Sequence, residues 1–382
     1  MLVFLDRVTQ AVDEGCPVDV AYLDFAKAFD VVPHARLIQK MESYGIDRAV
    51  LLWIADWLSD RVQRVSVSGE ESGWTAVTSG VPQGSVLGPV LFLIFINDID
   101  DGLKNLLLKF ADDTKIACRA RDDLDRKSLQ EDLDKLVEWS ETWCMRFNFD
   151  KCKIMHFGNG NACIEYTMAG NKLESVKEER DLGILMSSDL KPSKHCTQAY
   201  GKANRMSSLI KRTIANKSPQ IMIRLYKCLV RPHLEYGMSI WSPWYKKDRD
   251  LIERVQRRFT KMIHGMHDME YTDRLRHLNL WTLEERRNRN DLIEVYNIIR
   301  GRSAIPSESF FEICRDKRTR GHQFTLYKKS CNKDVRLHFF SNRVINRWND
   351  LSERAVNAPS INAFKNELDN IRRKKMGFFM DH

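Results

Sequence analysis

The chain has no regular cysteine pattern. Its nine cysteines among 382 residues include no C-x-x-C pair, and no Cys/His set has the spacing of a zinc finger. Scattered cysteines are typical of reduced thiols that pack as small hydrophobic residues. His264 and His267 are three residues apart, but without a second ligand pair they favour a surface or packing role. The sequence therefore argues against a disulfide-stabilised secreted domain and against a zinc site.

Long apolar runs are also missing. The longest, residues 86–96, is interrupted by Gly88-Pro89 and is too short to span a bilayer. The apolar run at residues 2–5 is too short for a signal peptide and is followed by acidic residues. We therefore expect an intracellular protein without a membrane partner. The sequence identifies no protein partner and no oligomeric state.

Acidic residues are in short supply in the second part of the chain. Residues 1–150 contain 16 basic and 26 acidic residues, a net charge of −10, whereas residues 151–382 contain 45 basic and 26 acidic residues, a net charge of +19. A charge of +19 exceeds what solubility requires. It favours contact with nucleic-acid phosphates and a strong dependence of binding on salt. Solvated charged faces are the alternative explanation.

What the chain does have is a pair of adjacent acids, in Phe110-Ala111-Asp112-Asp113. The pair lies between two apolar runs, at residues 106–110 and 116–118, which predicts a strand, a tight turn and a second strand. Two like charges at a hairpin tip repel unless a cation neutralises them. Mg²⁺ suits this role because it binds carboxylate and phosphate oxygens. Taken alone, the pair is equally typical of a solvated turn.

A third acid lies upstream, in the sequence Y-L-D-F-A-K-A-F-D (residues 22–30). Asp24 falls near the end of a predicted strand that is followed by helix-forming residues. Two-metal phosphoryl transfer needs acids from distant segments around two ions. The alternative role for Asp24 is an N-cap of the next helix. That alternative fits Asp30 better, because a Val-Val-Pro break follows it and Asp30 then simply closes the segment.

Between the acids lies a glycine-rich loop, S-G-V-P-Q-G-S-V-L-G-P (residues 79–89). Gly84 lacks a Cβ, so a ligand can approach its backbone closely. Gln83 beside it offers both a hydrogen-bond acceptor and donors. An ordinary Pro-Gly turn is the alternative. The order of acid, glycine-rich loop and acid pair favours a functional loop.

With these motifs in this order, the chain resembles the reverse transcriptases of non-LTR (LINE-type) retrotransposons, especially the jockey and CR1 group. The segments just quoted are similar to motifs A, B and C of that family. N-F-D-K-C-K (residues 148–153) is similar to motif D, and Asp181-Leu182-Gly183 to motif E, the primer grip. Distal blocks such as L-V-R-P-H-L-E-Y-G (residues 229–237) and R-V-I-N-R-W-N (residues 343–349) extend the resemblance over nearly the whole chain.

The resemblance implies a role for each matching residue. Asp24, Asp112 and Asp113 would be catalytic carboxylates that bind two Mg²⁺ ions, with Mn²⁺ as an alternative. Lys151 would donate a proton to pyrophosphate, with Lys153 as a competitor for that role. The other implied sites are the incoming-nucleotide contacts Phe25, Phe29, Gln83 and Gly84, with Phe29 as the steric gate against a ribose 2′-hydroxyl, and the primer-grip residues Leu182 and Gly183.

The expected fold is α+β. Residues 1–186 would form the palm of a right-hand polymerase, an antiparallel sheet with helices, together with part of the fingers. Residues 187–300 would form a helical thumb, where Arg254, Arg257 and Arg258 lie on one helical face suited to phosphates. The aromatic residues 236–245 suggest base stacking, but thumb-core packing is favoured. Residues 301–382 would form a basic extension that ends in R-R-K-K (residues 372–375).

The resemblance implies an RNA-directed DNA polymerase that adds dNTPs to a primer 3′-hydroxyl on an RNA template, as in target-primed reverse transcription. The partners would be RNA template, DNA primer and dNTPs, and the location the nucleus or a cytoplasmic ribonucleoprotein. Only 23 residues precede Asp24, so we also expect a chain truncated at its N-terminus, without the upstream fingers. An inert nucleic-acid-binding remnant is the alternative function.

Overall fold

The protein divides into two compact units. The computed structural model describes residues 1–314 and 321–381. The central unit is Cys16–Lys177, and the terminal unit combines Met1–Gly15 with Glu178–His382. The sequence instead placed the first boundary after residue 186 and kept the first residues with the palm. Palm, thumb and extension stay predictions, and residues 315–320 and 382 of the predicted extension lie outside the described residues.

The different boundary has a physical reason in the terminal unit. The backbone N–H of Leu185 donates to Nδ1 of His195 at 3.0 Å, so the hairpin that contains motif E is bonded to the helix after it. The first helix, α1 (Leu2–Asp13), forms an ion pair between Asp6 and Arg336 at 2.7 Å. Both segments therefore pack with C-terminal residues.

The central unit follows a mixed order of strands and helices. Its elements are β1 (Val18–Leu23), α2 (Ala28–Val31), α3 (His34–Ser43), α4 (Arg48–Leu58), β2 (Val62–Gln63), β3 (Ser66–Val67), β4 (Glu70–Glu71), β5 (Thr75–Ala76), α5 (Leu87–Phe95), β6 (Leu106–Phe110), β7 (Asp113–Arg119), α6 (Asp123–Thr142), β8 (Lys153–Phe157), β9 (Thr167–Met168), β10 (Asn171–Lys172) and β11 (Glu174–Ser175).

A five-stranded sheet in the order β11-β8-β1-β7-β6 organises this unit. Its pairings are antiparallel except for the edge pair β11–β8. Residues of α3, α4, α5 and α6 bury one core with the sheet, in which Leu37, Ile54, Phe92 and Leu133 are almost fully enclosed. This is the α+β arrangement expected from alternating helices and hairpins.

Two predicted elements are shorter than expected. The apolar stripe of Leu129, Leu133 and Leu136 predicts a helix over residues 122–147. The helix instead ends at Thr142, because Cys144 adopts a left-handed conformation (φ 53°) and Phe147 turns back to bridge Phe25. The alternating sequence R-V-Q-R-V-S-V-S predicts one strand over residues 61–68 with residues 74–78 as its partner, and that length is wrong. Only β2 pairs with β5, as expected, while β3 pairs with β4 in a separate short hairpin.

Strand β1 is buried along its whole length and includes a charged residue, Asp19. Its carboxylate accepts hydrogen bonds from Asn161 and Tyr166, each at 2.7 Å, and lies 2.7 Å from Nδ1 of His156. Burial alone would raise the pKa of Asp19, but these hydrogen bonds outweigh it and hold the pKa below its ordinary value. The strand that leads to Asp24 is therefore anchored by three polar contacts to the Asp19 carboxylate.

The terminal unit is mainly helical, as predicted. After α1 it contains β12 (Glu178–Asp181), β13 (Ile184–Ser187), α7 (Ser193–Thr213), α8 (Pro219–Leu225), a π-helical turn (Tyr226–Val230), α9 (Pro232–Glu235), α10 (Met238–Trp241), α11 (Lys246–Lys261), α12 (Tyr271–His277), α13 (Leu283–Ile299), a 3₁₀ turn (Ser307–Ser309), α14 (Asp334–Leu337), α15 (Phe340–Arg343), α16 (Ile345–Asn349), α17 (Glu353–Val356) and α18 (Ile361–Lys374). Within residues 1–314 and 321–381, no helix is long and apolar enough to cross a lipid bilayer.

Candidate active site

The first predicted carboxylate, Asp24, directly follows strand β1 and is half-buried. Its backbone is held by the turn before β8. The N–H of Asn148 donates to the Asp24 carbonyl at 2.8 Å, and the Asp24 N–H donates to Sγ of Cys152 at 3.5 Å. Burial raises the pKa of the Cys152 thiol to about 11, so it stays protonated at neutral pH. The carboxylate therefore projects from a backbone that this turn fixes at two points.

Lys151 is the cation that meets this carboxylate. Its Nζ lies 3.3 Å from Oδ2 of Asp24, although the geometry is not that of a hydrogen bond, and Oδ2 has no hydrogen-bond partner among the described residues. Lys153, the competing lysine, instead donates to the Asp150 carbonyl at 3.0 Å and pairs with Glu174. The structure thus separates the two lysines that the sequence left as alternatives.

The acid pair lies at the tip of the hairpin β6–β7, as predicted. Phe110 pairs with Asp113, which leaves Ala111 and Asp112 as a two-residue loop. Ala111 adopts a left-handed conformation (φ 53°), which lets so short a loop close the hairpin. Because Leu23 pairs with Thr114, the end of β1 and the hairpin tip lie at the same end of adjacent strands, which are about 4.8 Å apart in a sheet.

The residue types at this end of the sheet suit a hard divalent cation, because three carboxylates lie there and Oδ2 of Asp24 has no hydrogen-bond partner among the described residues. The side chains do not yet converge, however. Among residues 1–314 and 321–381, no group of three or more His, Cys, Asp or Glu side chains is close enough to hold a metal ion. The residue types therefore fit metal binding, and the carboxylates would need to rotate toward a common ion.

The glycine-rich loop is bonded to the segment after Asp24. Backbone N–H groups of Gly80 and Val81 donate to the carbonyls of Val32 and Phe29 at 2.8 and 2.7 Å. Gly80 has φ +92°, and a Cβ there would lie 2.7 Å from the Asp30 carbonyl oxygen. Only glycine fits this close approach. The glycine-rich loop and the segment after Asp24 are therefore bonded to each other along one side of the candidate site.

Gly84 lies in a different environment from Gly80. It has φ +83°, and no described atom lies within 4 Å of the position of a Cβ. Gln83 beside it is exposed, and its Nε2 donates to Oδ1 of Asp30 at 3.2 Å. The backbone around Gly84 is therefore open to a ligand, as the sequence predicted.

The two predicted aromatic contacts differ in accessibility. Phe25 is 3% exposed and stacks on Phe147 with ring centroids 4.5 Å apart, so its side chain belongs to the core and only its backbone is available to a nucleotide. Phe29 is half-buried and stacks on Phe92 at 4.6 Å. That stack fixes the Phe29 ring, which is what a steric gate requires.

Comparisons with known proteins agree with this arrangement. A family model described as reverse transcriptase (RNA-dependent DNA polymerase) matches residues 15–197. Those residues are therefore similar to reverse transcriptases. Their fold is mixed α+β with a mainly antiparallel sheet, and the matching family implies dependence on a divalent metal ion.

Relatives of the chain come from mobile elements. It is 32% identical over 260 residues to the RNA-directed DNA polymerase from mobile element jockey of Drosophila melanogaster, covering 64% of this chain and 28% of that protein. It is 27% identical over 336 residues to the probable RNA-directed DNA polymerase from transposon BS of the same organism, covering 79% of this chain and 35% of that protein. The chain thus spans about a third or less of these relatives.

Among solved structures, the chain is similar to apo telomerase from Candida tropicalis. The sequence identity is 11%, the match covers 72% of this chain and 48% of that chain, and the TM-score is 0.40.

The predicted primer grip is a tight hairpin turn between β12 and β13, toward the C-terminal end of the matched residues 15–197. Leu182 and Gly183 both have positive φ, 47° and 81°, as a type I′ turn requires. The hydroxyl of Tyr236 donates to the Leu182 carbonyl at 2.9 Å. Trp241, by contrast, is buried and packs on His195. The favoured packing role therefore holds for Trp241, whereas Tyr236 is 60% exposed.

The three predicted phosphate contacts lie on the exposed face of α11. Arg254, Arg257 and Arg258 are all exposed, whereas the intervening Val255 and Gln256 are buried. Nη1 of Arg258 donates to the hydroxyl of Tyr200 at 2.9 Å. The face is therefore available to a polyanion.

Sequence reasoning missed Asp30. We interpreted it as a residue that closes the motif A segment, yet its carboxylate and its carbonyl accept hydrogen bonds from Gln83 and Ser79. The only signal in the sequence is its place in the A-F-D run after Asp24. Its contact with a loop about 50 residues later depends on the fold.

Proposed function

We propose that this chain is an RNA-directed DNA polymerase of a jockey-like non-LTR retrotransposon. The observation that supports this most directly is the position of Asp24, at the end of β1 and at the same end of the sheet as the Asp112–Asp113 hairpin tip. A reaction that transfers a nucleotide needs several carboxylates from distant segments at one point. The matching family and the relatives support the same activity.

In this proposal Asp24, Asp112 and Asp113 hold two Mg²⁺ ions, which when bound would activate the attacking hydroxyl and stabilise the charge on the leaving pyrophosphate. A primer 3′-hydroxyl attacks the α-phosphate of a dNTP: the new O–P bond forms, the hydroxyl proton passes to solvent, and the bond to pyrophosphate breaks. Lys151, beside Asp24, supplies positive charge and a proton to that leaving group. Phe29, fixed by Phe92, excludes a ribose 2′-hydroxyl.

The remaining residues would bind the substrates. Gln83 and the open backbone at Gly84 would contact the incoming nucleotide. The turn at Leu182 and Gly183 would contact the primer. The exposed face of α11 would contact backbone phosphates of the RNA template or the DNA primer, because arginine binds phosphate oxygens in a bidentate manner. Target-primed reverse transcription in the nucleus is the biological role that follows.

Primer extension tests this function. Purified chain, a DNA primer annealed to an RNA template, dNTPs and Mg²⁺ should give template-directed extension, and replacing dNTPs by ribonucleotides should suppress it. Absence of extension, together with retained salt-sensitive binding to the template–primer, would contradict the proposal and support a nucleic-acid-binding remnant.

A further inference from the structure

An acid outside the proposed metal site contacts the residue expected to meet the nucleotide. Oδ1 of Asp30 accepts a hydrogen bond from Nε2 of Gln83 at 3.2 Å. The Asp30 carbonyl accepts a second bond from the hydroxyl of Ser79 at 3.0 Å. Asp30 therefore contacts the glycine-rich loop at two points, one at its start and one beside Gly84.

The backbone around this pair is rigid. Asp30 lies in the one-turn helix α2, its N–H donates to the Lys27 carbonyl at 2.9 Å, and its backbone is in close approach with Gly80. On the other side, the loop is held by the bond from Val81 to the Phe29 carbonyl. Because both ends of the contact are anchored, the Asp30 carboxylate can control the direction of a flexible glutamine side chain.

The chemistry of the two groups decides which end of the amide is used. An ionised carboxylate only accepts hydrogen bonds, whereas a glutamine amide has an NH₂ donor and a carbonyl acceptor. Gln83 can therefore bond Asp30 only through its NH₂ group. Its carbonyl oxygen, Oε1, is then directed away from Asp30. Among the described contacts of Gln83, Oε1 has no hydrogen-bond partner that would compete with a ligand.

We propose that Asp30 is a positioning residue that orients the Gln83 amide, so that the incoming nucleotide meets its carbonyl oxygen and must offer a hydrogen-bond donor. This inference rests on the proposed function, in which Gln83 contacts the nucleotide. It assigns a role to the last acid of the Y-L-D-F-A-K-A-F-D motif that is separate from metal binding. Substrate binding is the step it affects, because Asp30 acts through Gln83.

A charge-swap experiment tests the inference by steady-state primer extension. Asp30→Ala should raise KM for dNTP about tenfold and change kcat much less, because it frees an orienting contact and leaves the carboxylate triad intact. Gln83→Glu should also raise KM, because two carboxylates then repel. The double variant Asp30→Asn/Gln83→Glu should return KM to within about threefold of the wild type, since asparagine can donate to one glutamate oxygen and leave the other as an acceptor. A double variant no better than Gln83→Glu alone, or a wild-type KM in Asp30→Ala, would overturn the inference.

A second readout does not depend on catalysis. In protein labelled with ¹⁵N-glutamine, the side-chain NH₂ signal that disappears in Gln83→Glu should shift in Asp30→Ala. The matched control is Asp134→Ala, because Gln130 and Asp134 form a similar exposed glutamine–aspartate hydrogen bond at 2.8 Å. That control should leave the Gln83 signal and KM unchanged. If the wild type does not extend primers, the proposed function fails, while an unshifted Gln83 signal in Asp30→Ala would still overturn this inference by itself.

Discussion

At the scale of single residues, the partners of Lys151 and Lys153 determine what each can do. The side chain of Lys151 is 66% exposed and reaches the Asp24 carboxylate, so it can move onto a bound triphosphate. The side chain of Lys153 is 20% exposed and is engaged by Glu174 and the Asp150 carbonyl. A lysine that is already paired in this way is a poor proton donor to a substrate.

Replacing these lysines should therefore have unequal effects. We expect Lys151→Ala to slow single-nucleotide incorporation by about 100-fold, in the range of general-acid contributions. Lys153→Ala, the matched control two residues away, should stay within about threefold of the wild type, because it removes only the ion pair with the largely exposed Glu174. Rapid-quench kinetics with saturating dNTP measures both rates. Equal losses in the two variants would contradict the assignment.

A functional residue could be predicted where it lies in a short motif. The residues that it contacts in other segments could not. Asp24, Asp112 and the openness around Gly84 follow from motif order and local turn chemistry. The choice between Lys151 and Lys153 depends on Glu174 in another strand. The role of Asp30 depends on Gln83. Such contacts between distant residues exist only after the chain has folded.

At the scale of elements, the two glycines of the motif B loop serve different purposes. Both have positive φ, but only Gly80 approaches the Asp30 backbone, while the surroundings of Gly84 are open. Strain from the left-handed backbone is common to both positions. Of these two positions, only Gly80 would bring an added Cβ into a steric clash with a neighbouring segment.

Alanine substitutions should separate these two contributions. Gly84→Ala should cost roughly 1–2 kcal/mol of unfolding free energy, from backbone strain. Gly80→Ala should cost roughly 2 kcal/mol more, because the new Cβ forces the loop and the segment after Asp24 apart. Urea denaturation of the two variants gives the difference. A Gly80→Ala variant as stable as Gly84→Ala would mean that the close approach is not required.

The contact between His195 of α7 and Leu185 of β13 should make the stability of the fold depend on pH. Burial, with Lys202 and Arg180 nearby, lowers the pKa of His195 from 6.5 to about 4, and its Nδ1 accepts the Leu185 N–H that joins α7 to β13. Between pH 6.5 and about 4 the unfolded chain binds a proton that the folded chain does not. The contribution of His195 to stability is therefore present above pH 6.5 and is lost as the pH falls toward 4.

Replacing His195 should reduce the change of folding stability with pH. In the wild type, His195 should lower the free energy of unfolding by about 1.4 kcal/mol for each pH unit of acidification between pH 6.5 and about 4. In His195→Asn, which keeps an acceptor near Nδ1 but does not titrate there, the slope should be smaller by that amount. Urea denaturation at several pH values between 4.5 and 7 measures the two slopes. Parallel curves would show that His195 is not held neutral.

The pattern of elements was largely predictable, and their lengths were not. Apolar periodicity located β1, the hairpin β6–β7 and helix α6. It did not show that α6 would end at Thr142 or that residues 61–77 would form two short hairpins, because those ends are set by tertiary contacts and by single left-handed residues. The division into units at Lys177 depends in the same way on contacts of motif E with α7.

At the scale of the whole molecule, the net charge is −10 in residues 1–150, which contain the proposed metal site, and +19 in residues 151–382. Phosphate contacts release counterions, so binding should weaken steeply with salt. Arg254, Arg257 and Arg258 of α11 are exposed residues of this basic part.

Removing these arginines should change the salt dependence of template–primer binding. The triple variant Arg254→Ala/Arg257→Ala/Arg258→Ala should reduce the slope of log K against log salt by about 2–3, close to 0.9 per lost phosphate contact. Fluorescence anisotropy at several salt concentrations gives the slope.

The matched control removes equal charge from the central unit. It replaces three basic residues on or near α6, and should reduce the slope by less than about 1, since no phosphate contact is expected there. The control substitutions are Lys104→Ala, Lys127→Ala and Lys135→Ala. Equal reductions would indicate that only the overall charge matters.

The most direct test of the central claim is primer extension on an RNA template, with the wild type and the Asp112→Asn/Asp113→Asn variant measured side by side. The proposal predicts extension by the wild type, a loss of at least about 1,000-fold in the variant, and template–primer affinity within about threefold between them. A variant that extends primers as fast as the wild type would contradict the assignment of these carboxylates to the active site.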